Sequence, residues 1–191
     1  QALINLGYDD VLDDSVLTSN INTIDTLDVN SLSISDLTGV EDFTSLTYLQ
    51  CYSNNLTNLD VSNNIALTYL HCSNNQLTSL DVSANTGLTF LNTGANQLTN
   101  LNVSTNVSLN LLNCSSNQII SLDVSTNTAL TNLYCFDNQL TTLDVSNNIA
   151  LTTLRNEENQ LTTVDLSQHT ALIWLSCGSP QLTSLNVRNG N

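Results

Sequence analysis

Four groups of residues have types and spacings that invite chemistry. His71 precedes Cys72, and a Cys–His pair is the nucleophile and base of many covalent catalysts. Asp137 and Glu158 lie 21 residues apart. Two carboxylates held ~5 Å apart serve retaining glycosidases. Cys51, Cys72, Cys114, Cys135 and Cys177 offer thiols for bridges or metals. Asp9, Asp10, Asp13 and Asp14 flank Val11-Leu12, and hard cations take several carboxylate oxygens. What each group can do depends on the backbone that positions it.

That backbone is periodic. Leu46-Thr47-Tyr48-Leu49-Gln50-Cys51 recurs as Leu67-Thr68-Tyr69-Leu70-His71-Cys72, and the offset of 21 gives further starts at Leu88, Leu109, Leu130, Leu151 and Leu172. The seven copies share L-T-x-L-x-C-x-x-N-Q-L-T-x-L-D-V-S-x-N-x-A. Each has two halves in which apolar residues alternate and an Asn follows, which predicts two short strands and two turns per coil. Coils stack ~4.8 Å apart, so seven make a rod of ~34 Å. The Asn columns, Asn54 to Asn159 and Asn64 to Asn148, are expected at the turns. Asn tolerates left-handed backbone and offers an amide to neighbouring main-chain groups. His169 replaces one of them and is expected to hydrogen-bond in its place.

The period answers most of the chemical questions. Alternation sends His71 and Cys72 to opposite faces, which excludes a dyad. Cys51, Cys72, Cys114, Cys135 and Cys177 fall in one core column with Thr93 and Asn156. Parallel side chains and two-coil gaps are poor geometry for bridges, so five buried free thiols are expected. No paired C-x-x-C suggests zinc. Asp137 and Glu158 sit on a rim, without the cleft that would raise one pKa. The column Asp60, Asp81, Asp123, Asp144 and Asp165 is expected to accept hydrogen bonds from the adjacent Ser column rather than hold calcium. The stretch at residues 9–14 lacks the ligand spacing and central Gly of an EF-hand. No catalytic residue, metal or cofactor is expected.

Composition narrows the partners. Among 191 residues there are 17 Asp plus Glu, 2 Lys plus Arg and a net charge of −15. So few cations leave no basis for nucleic-acid binding. No apolar run approaches the ~18 residues of a membrane span. The hydrophobic share of 40% is enough for a core, so acidity does not mean disorder. A start at Gln1 and the absence of Met suggest a trimmed piece of a longer protein with flanking domains.

The motif L-x-x-L-x-C-x-x-N-x-L-x-x-L-D-V-S-x-N resembles the leucine-rich repeat family, in its 21-residue bacterial (IRREKO) class. Residues 24–45, with Ile24, Leu27, Val29, Leu32, Ile34 and Leu37, look like one internalin-like coil. The resemblance implies a right-handed, mostly β solenoid with two short parallel sheets along the rod. It also implies a secreted or cell-surface protein, of a kind typical of Bacteroidetes, with a binding or adhesion role. The expected organisation is a single domain. Residues 1–23 form an N-terminal cap with a short helix over Ala2, Leu3, Ile4, Leu6 and Tyr8 stopped by Gly7. Residues 24–45 form the internalin-like repeat. The seven repeats run 46–66, 67–87, 88–108, 109–129, 130–150, 151–171 and 172–191.

The two faces differ. Outward positions of the second strand are uniformly small and polar, whereas positions 3, 5 and 7 of the first strand vary. Seven of the nine aromatic residues lie there, and exposed aromatics dominate interface energetics. By the resemblance, this strand is the concave ligand face. The expected ligand-binding residues are Tyr48, Tyr52, Tyr69, His71 and Phe90, with a second group of Tyr134, Phe136, Arg155 and Trp174. The expected function is non-enzymatic recognition of a protein or a neutral glycan. The alternative is a structural spacer or accessory domain of a larger secreted, polysaccharide-degrading protein.

Overall fold

The computed structural model describes residues 2–8 and 17–188. The fold is a parallel-strand solenoid. Eight three-residue strands, one per coil, form the main sheet: β1 (Thr26–Asp28), β2 (Tyr48–Gln50), β3 (Tyr69–His71), β4 (Phe90–Asn92), β5 (Leu111–Asn113), β6 (Asn132–Tyr134), β7 (Thr153–Arg155) and β9 (Trp174–Ser176). Register follows the repeat, with Tyr48 opposite Tyr69 and Tyr69 opposite Phe90. Between β1 and β2 the register partner of Thr26 is Tyr48, one residue beyond the 21-residue spacing. The extra residue falls between Ile34, whose bond to the next Asn matches that of Leu56, and Val40, whose bond matches that of Val61.

The centre of each strand faces inward. Leu49, Leu70, Leu91, Leu112, Leu133 and Leu154 are fully buried, over Leu56, Leu77, Leu98 and their equivalents. Burying one such Leu is worth ~1.5–3 kcal/mol, and each side chain is buried mainly by the coils above and below. In the last coil Leu172, Leu175 and Leu182 are only half-buried, since no further coil packs on them among the described residues.

The second face departs from the expected sheet. Among the described residues only β8 (Thr163–Asp165) and β10 (Ser184–Asn186) pair there. All along this face, in β8 and β10 as in the unpaired coils, the side chain at position 15 takes the backbone N–H two residues on: Ser62 N donates to Asp60 Oδ1 at 2.9 Å, Ser83, Ser125 and Ser146 do the same to Asp81, Asp123 and Asp144, and Ser167 and Arg188 to Asp165 and Asn186. β8 opens on two β-branched residues, Thr163 and Val164, which favour extended pairing. The hydrogen bonds from Ser hold the carboxyls of Asp60, Asp81, Asp123 and Asp144 below their usual range. They use the carboxylates as the repeat pattern predicts.

The Asn columns hold the turns. In the first, Asn75 Nδ2 donates to Cys51 O and Cys72 O at 3.0 and 3.1 Å, while its Oδ1 accepts Leu56 N–H at 3.0 Å. In the second, Asn85 Nδ2 donates to Val61 O and Asn64 O, both at 2.9 Å, and its Oδ1 has no partner. His169 takes over this role with Nε2 donating to Val145 O at 3.1 Å. The left-handed residue is not the Asn, however. It is the residue before it: Ser53, Asn74, Ala95, Ser116, Asp137 and Glu158, with φ between 51° and 54°. The amide bonds over-determine the turn, so even Ala95 and Glu158 are driven there.

At the N-terminus, α1 (Ala2–Asn5) ends where Gly7, at φ 80°, donates its N–H to Ile4 O at 2.9 Å. Tyr8 packs against the core. A second short helix, α2 (Thr18–Ile21), was not foreseen and supplies the fully buried Ile21. The acidic stretch Asp9, Asp10, Asp13 and Asp14 lies outside the described residues.

All five thiols are unpaired, but one expectation fails: Cys177 is half-exposed, because among the described residues no further coil covers it. Burial pushes the thiols of Cys72 and Cys114 up to about 12, and those of Cys51 and Cys135 well above their usual value. Since the thiolate is the reactive form, a maleimide pulse on native protein is expected to label Cys177 alone, and five thiols after unfolding. A second fast-reacting native thiol would show that the column is not closed.

Candidate ligand-binding face

The first group of candidate residues comes together on β2, β3 and β4. Tyr48 stacks on Tyr69 and Tyr69 on Phe90, with ring centroids 4.1 Å apart in both pairs and interplanar angles of 14° and 9°. Parallel in-register pairing places position 3 of each coil directly over the last, which brings three aromatics of one column within stacking reach. Beside this ladder Tyr52 stacks on His71 at 4.4 Å, and His71 meets Phe90 edge-on at 6.1 Å. Burial, with the bond from the neighbouring Tyr48, raises the Tyr69 hydroxyl to about 12.

Hydrogen bonds set the tautomer of His71. Gly94 N–H donates to Asn92 Oδ1 at 3.0 Å, which turns the amide so that Asn92 Nδ2 donates to His71 Nε2 at 3.0 Å. Ser73 Oγ lies 2.8 Å from the same nitrogen. An Nε2 that accepts leaves the proton on Nδ1. Burial also lowers the His71 pKa, favouring the neutral ring. Asn92 and Ser73 were missed as site residues; their clue is that they share repeat positions 5 and 7 with the chosen aromatics.

The second group is looser. The Arg155 guanidinium lies 4.2 Å over the Phe136 ring, a cation–π contact. Its Nε also donates to Glu157 Oε1 at 2.8 Å. Burial would raise the Glu157 carboxyl, but the bonds from Arg155 hold it lower. Tyr134 is the register partner of Arg155. Trp174 is 63% exposed and makes no ring contact among the described residues.

The groups first considered for chemistry fall apart. Asp137 and Glu158 occupy the left-handed turn position and are exposed to water. His71 borders the aromatic ladder while Cys72 is buried in the core. Among the described residues, no three His, Cys, Asp or Glu side chains gather to hold a metal ion. No helix among them is long and apolar enough to cross a membrane.

No family model matches the chain. Internalin J of Listeria monocytogenes is 44% identical over 51 residues, which is 27% of this chain and 6% of that protein. The chain therefore spans a small part of the length of this curated relative. The structure of internalin C2 from Listeria monocytogenes superposes with a TM-score of 0.72 at 25% identity, covering 96% of this chain and 79% of that one. A leucine-rich-repeat protein of Leptospira interrogans gives a TM-score of 0.77 at 24% identity, over 88% of this chain and 50% of its own. Together these likenesses give the chain the leucine-rich-repeat solenoid fold, similar to that of the internalins.

Proposed function

We propose that the chain is a non-enzymatic recognition module of a secreted or cell-surface protein, and that it binds a protein or a neutral glycan through its main sheet. The observation that carries this reading is the contrast between faces. The main sheet presents an aromatic cluster of Tyr48, Tyr52, Tyr69, His71 and Phe90, whereas the opposite face repeats Asp and Ser coil after coil. A spacer needs coils that stack; it does not need seven different outward triplets on one face. Likeness to internalins, which extends through the whole described fold, supports the same reading.

The test compares Tyr48→Ala, Tyr69→Ala and Phe90→Ala with Ser83→Ala and Ser125→Ala against binders found by screening proteins and glycans. Loss of a central aromatic is expected to weaken binding by about 2 kcal/mol or more, while the Ser variants leave it unchanged. Binding lost through the Ser variants and kept by the aromatic ones would move the site to the other face.

A further inference from the structure

The ladder determines which chemistry a ligand meets. Tyr69 has Tyr48 on one face and Phe90 on the other, each at 4.1 Å. No sugar ring fits into such a gap. The outer faces of Tyr48 and Phe90 look along the sheet toward their register partners Thr26 and Leu111. The ladder therefore offers ring edges and phenol hydroxyls to a ligand, and it keeps its faces for itself. A ring edge is the positive end of the aromatic quadrupole. Sugars stack by laying C–H groups on the negative face, which is here occupied.

Two of the neighbours have the same polarity, whereas Gln50 spends its Nε2 on Asp28 Oδ2 at 3.1 Å. His71 carries its proton on Nδ1, because Nε2 accepts from Asn92, and Nδ1 has no partner among the described residues. Asn113 Oδ1 is taken by Ser115 N–H and Oγ–H at 3.0 and 2.7 Å, which leaves its Nδ2 as the exposed end. From Tyr48 to Phe136, positions 3, 5 and 7 carry no Asp, Glu, Lys or Arg. An uncharged surface rich in donors and ring edges suits uncharged acceptors. A carboxylate partner would meet the protein's net charge of −15 without a nearby cation.

Resting on the proposed use of this face, we infer that its ligand is an extended polypeptide segment, laid across the coils of Tyr48, Tyr69 and Phe90, whose backbone carbonyls meet the ring edges and the His71 Nδ1–H. Extended backbone supplies carbonyls at regular spacing without bringing charge.

The experiment uses two probes on the whole chain: a phage-displayed library of random 12-residue peptides, and an array of neutral hexasaccharides including cellohexaose and xylohexaose. Peptides are expected to be enriched, and their affinity to fall at least tenfold in Tyr69→Ala and several-fold in His71→Phe, which keeps a ring but removes the N–H. Tyr69→Phe preserves the stack and guards against misfolding; it is expected to retain most of the binding. Hexasaccharide binding that Tyr69→Ala abolishes would overturn the polypeptide inference and leave the face intact. Peptides that depend on Ser83 and Ser125 instead would overturn the face itself. Recovery of no ladder-dependent peptide would also overturn the inference.

Discussion

Asn75→Ala is expected to lower the unfolding free energy by about 3–4 kcal/mol, against about 1–2 kcal/mol for Asn85→Ala. The two positions look alike in the repeat, each an Asn closing a half-coil. Their bonds differ. Asn75 is the sole partner shown for the buried Leu56 N–H, and its Nδ2 also serves Cys51 O and Cys72 O. Removal orphans a buried donor, which alone is worth about 1–3 kcal/mol. The two carbonyls keep one amide each, from Asn54 and Asn96, so their losses are smaller. Asn85 serves Val61 O and Asn64 O, and both still receive backbone N–H groups from Asn64 and Leu67. Its own Oδ1 is already unpaired. Urea titration of both variants checks the difference. Equal losses would mean that the second column bonds more tightly than its geometry indicates.

Translation made most of the fold legible in the sequence. In a solenoid each column repeats one environment, so a residue type that recurs every 21 positions reports that environment several times over. The core column, the Asp–Ser bonds and the ladder role of His169 could all be read this way. The left-handed turn could not, because Ser53, Asn74, Ala95, Ser116, Asp137 and Glu158 have no shared preference. There the neighbouring Asn imposes the backbone, and the column's own side chains carry no mark of it. Alternation also over-predicted the second sheet. A period of two reports which side chains are buried, not whether N–H groups reach the next coil. On the candidate face, spacing placed the aromatics in one column. It could not say that their rings stack face to face, which depends on side-chain torsions and decides what a ligand touches.

Asn156→Cys is expected to stabilise the chain by about 2–3 kcal/mol. Asn156 is fully buried in the column otherwise filled by Cys and Thr, and neither its Nδ2 nor its Oδ1 has a hydrogen-bond partner. A buried amide left unpaired is penalised by about 1–3 kcal/mol per group. The other polar residue of the column avoids this: Thr93 Oγ1 donates to Asn113 O at 3.4 Å, much as Cys72 Sγ reaches Asn92 O at 3.6 Å. Cysteine restores the column's volume and leaves no amide to desolvate. Serine provides the control, since it can bond as Thr93 does but leaves a smaller side chain in the space, and it is expected to gain less than Cys. The measurement is again the shift in urea midpoint, made under reducing conditions so that the added thiol cannot pair. A destabilised Asn156→Cys chain would mean that the amide is satisfied by a buried water, and that the column at this coil is built around it.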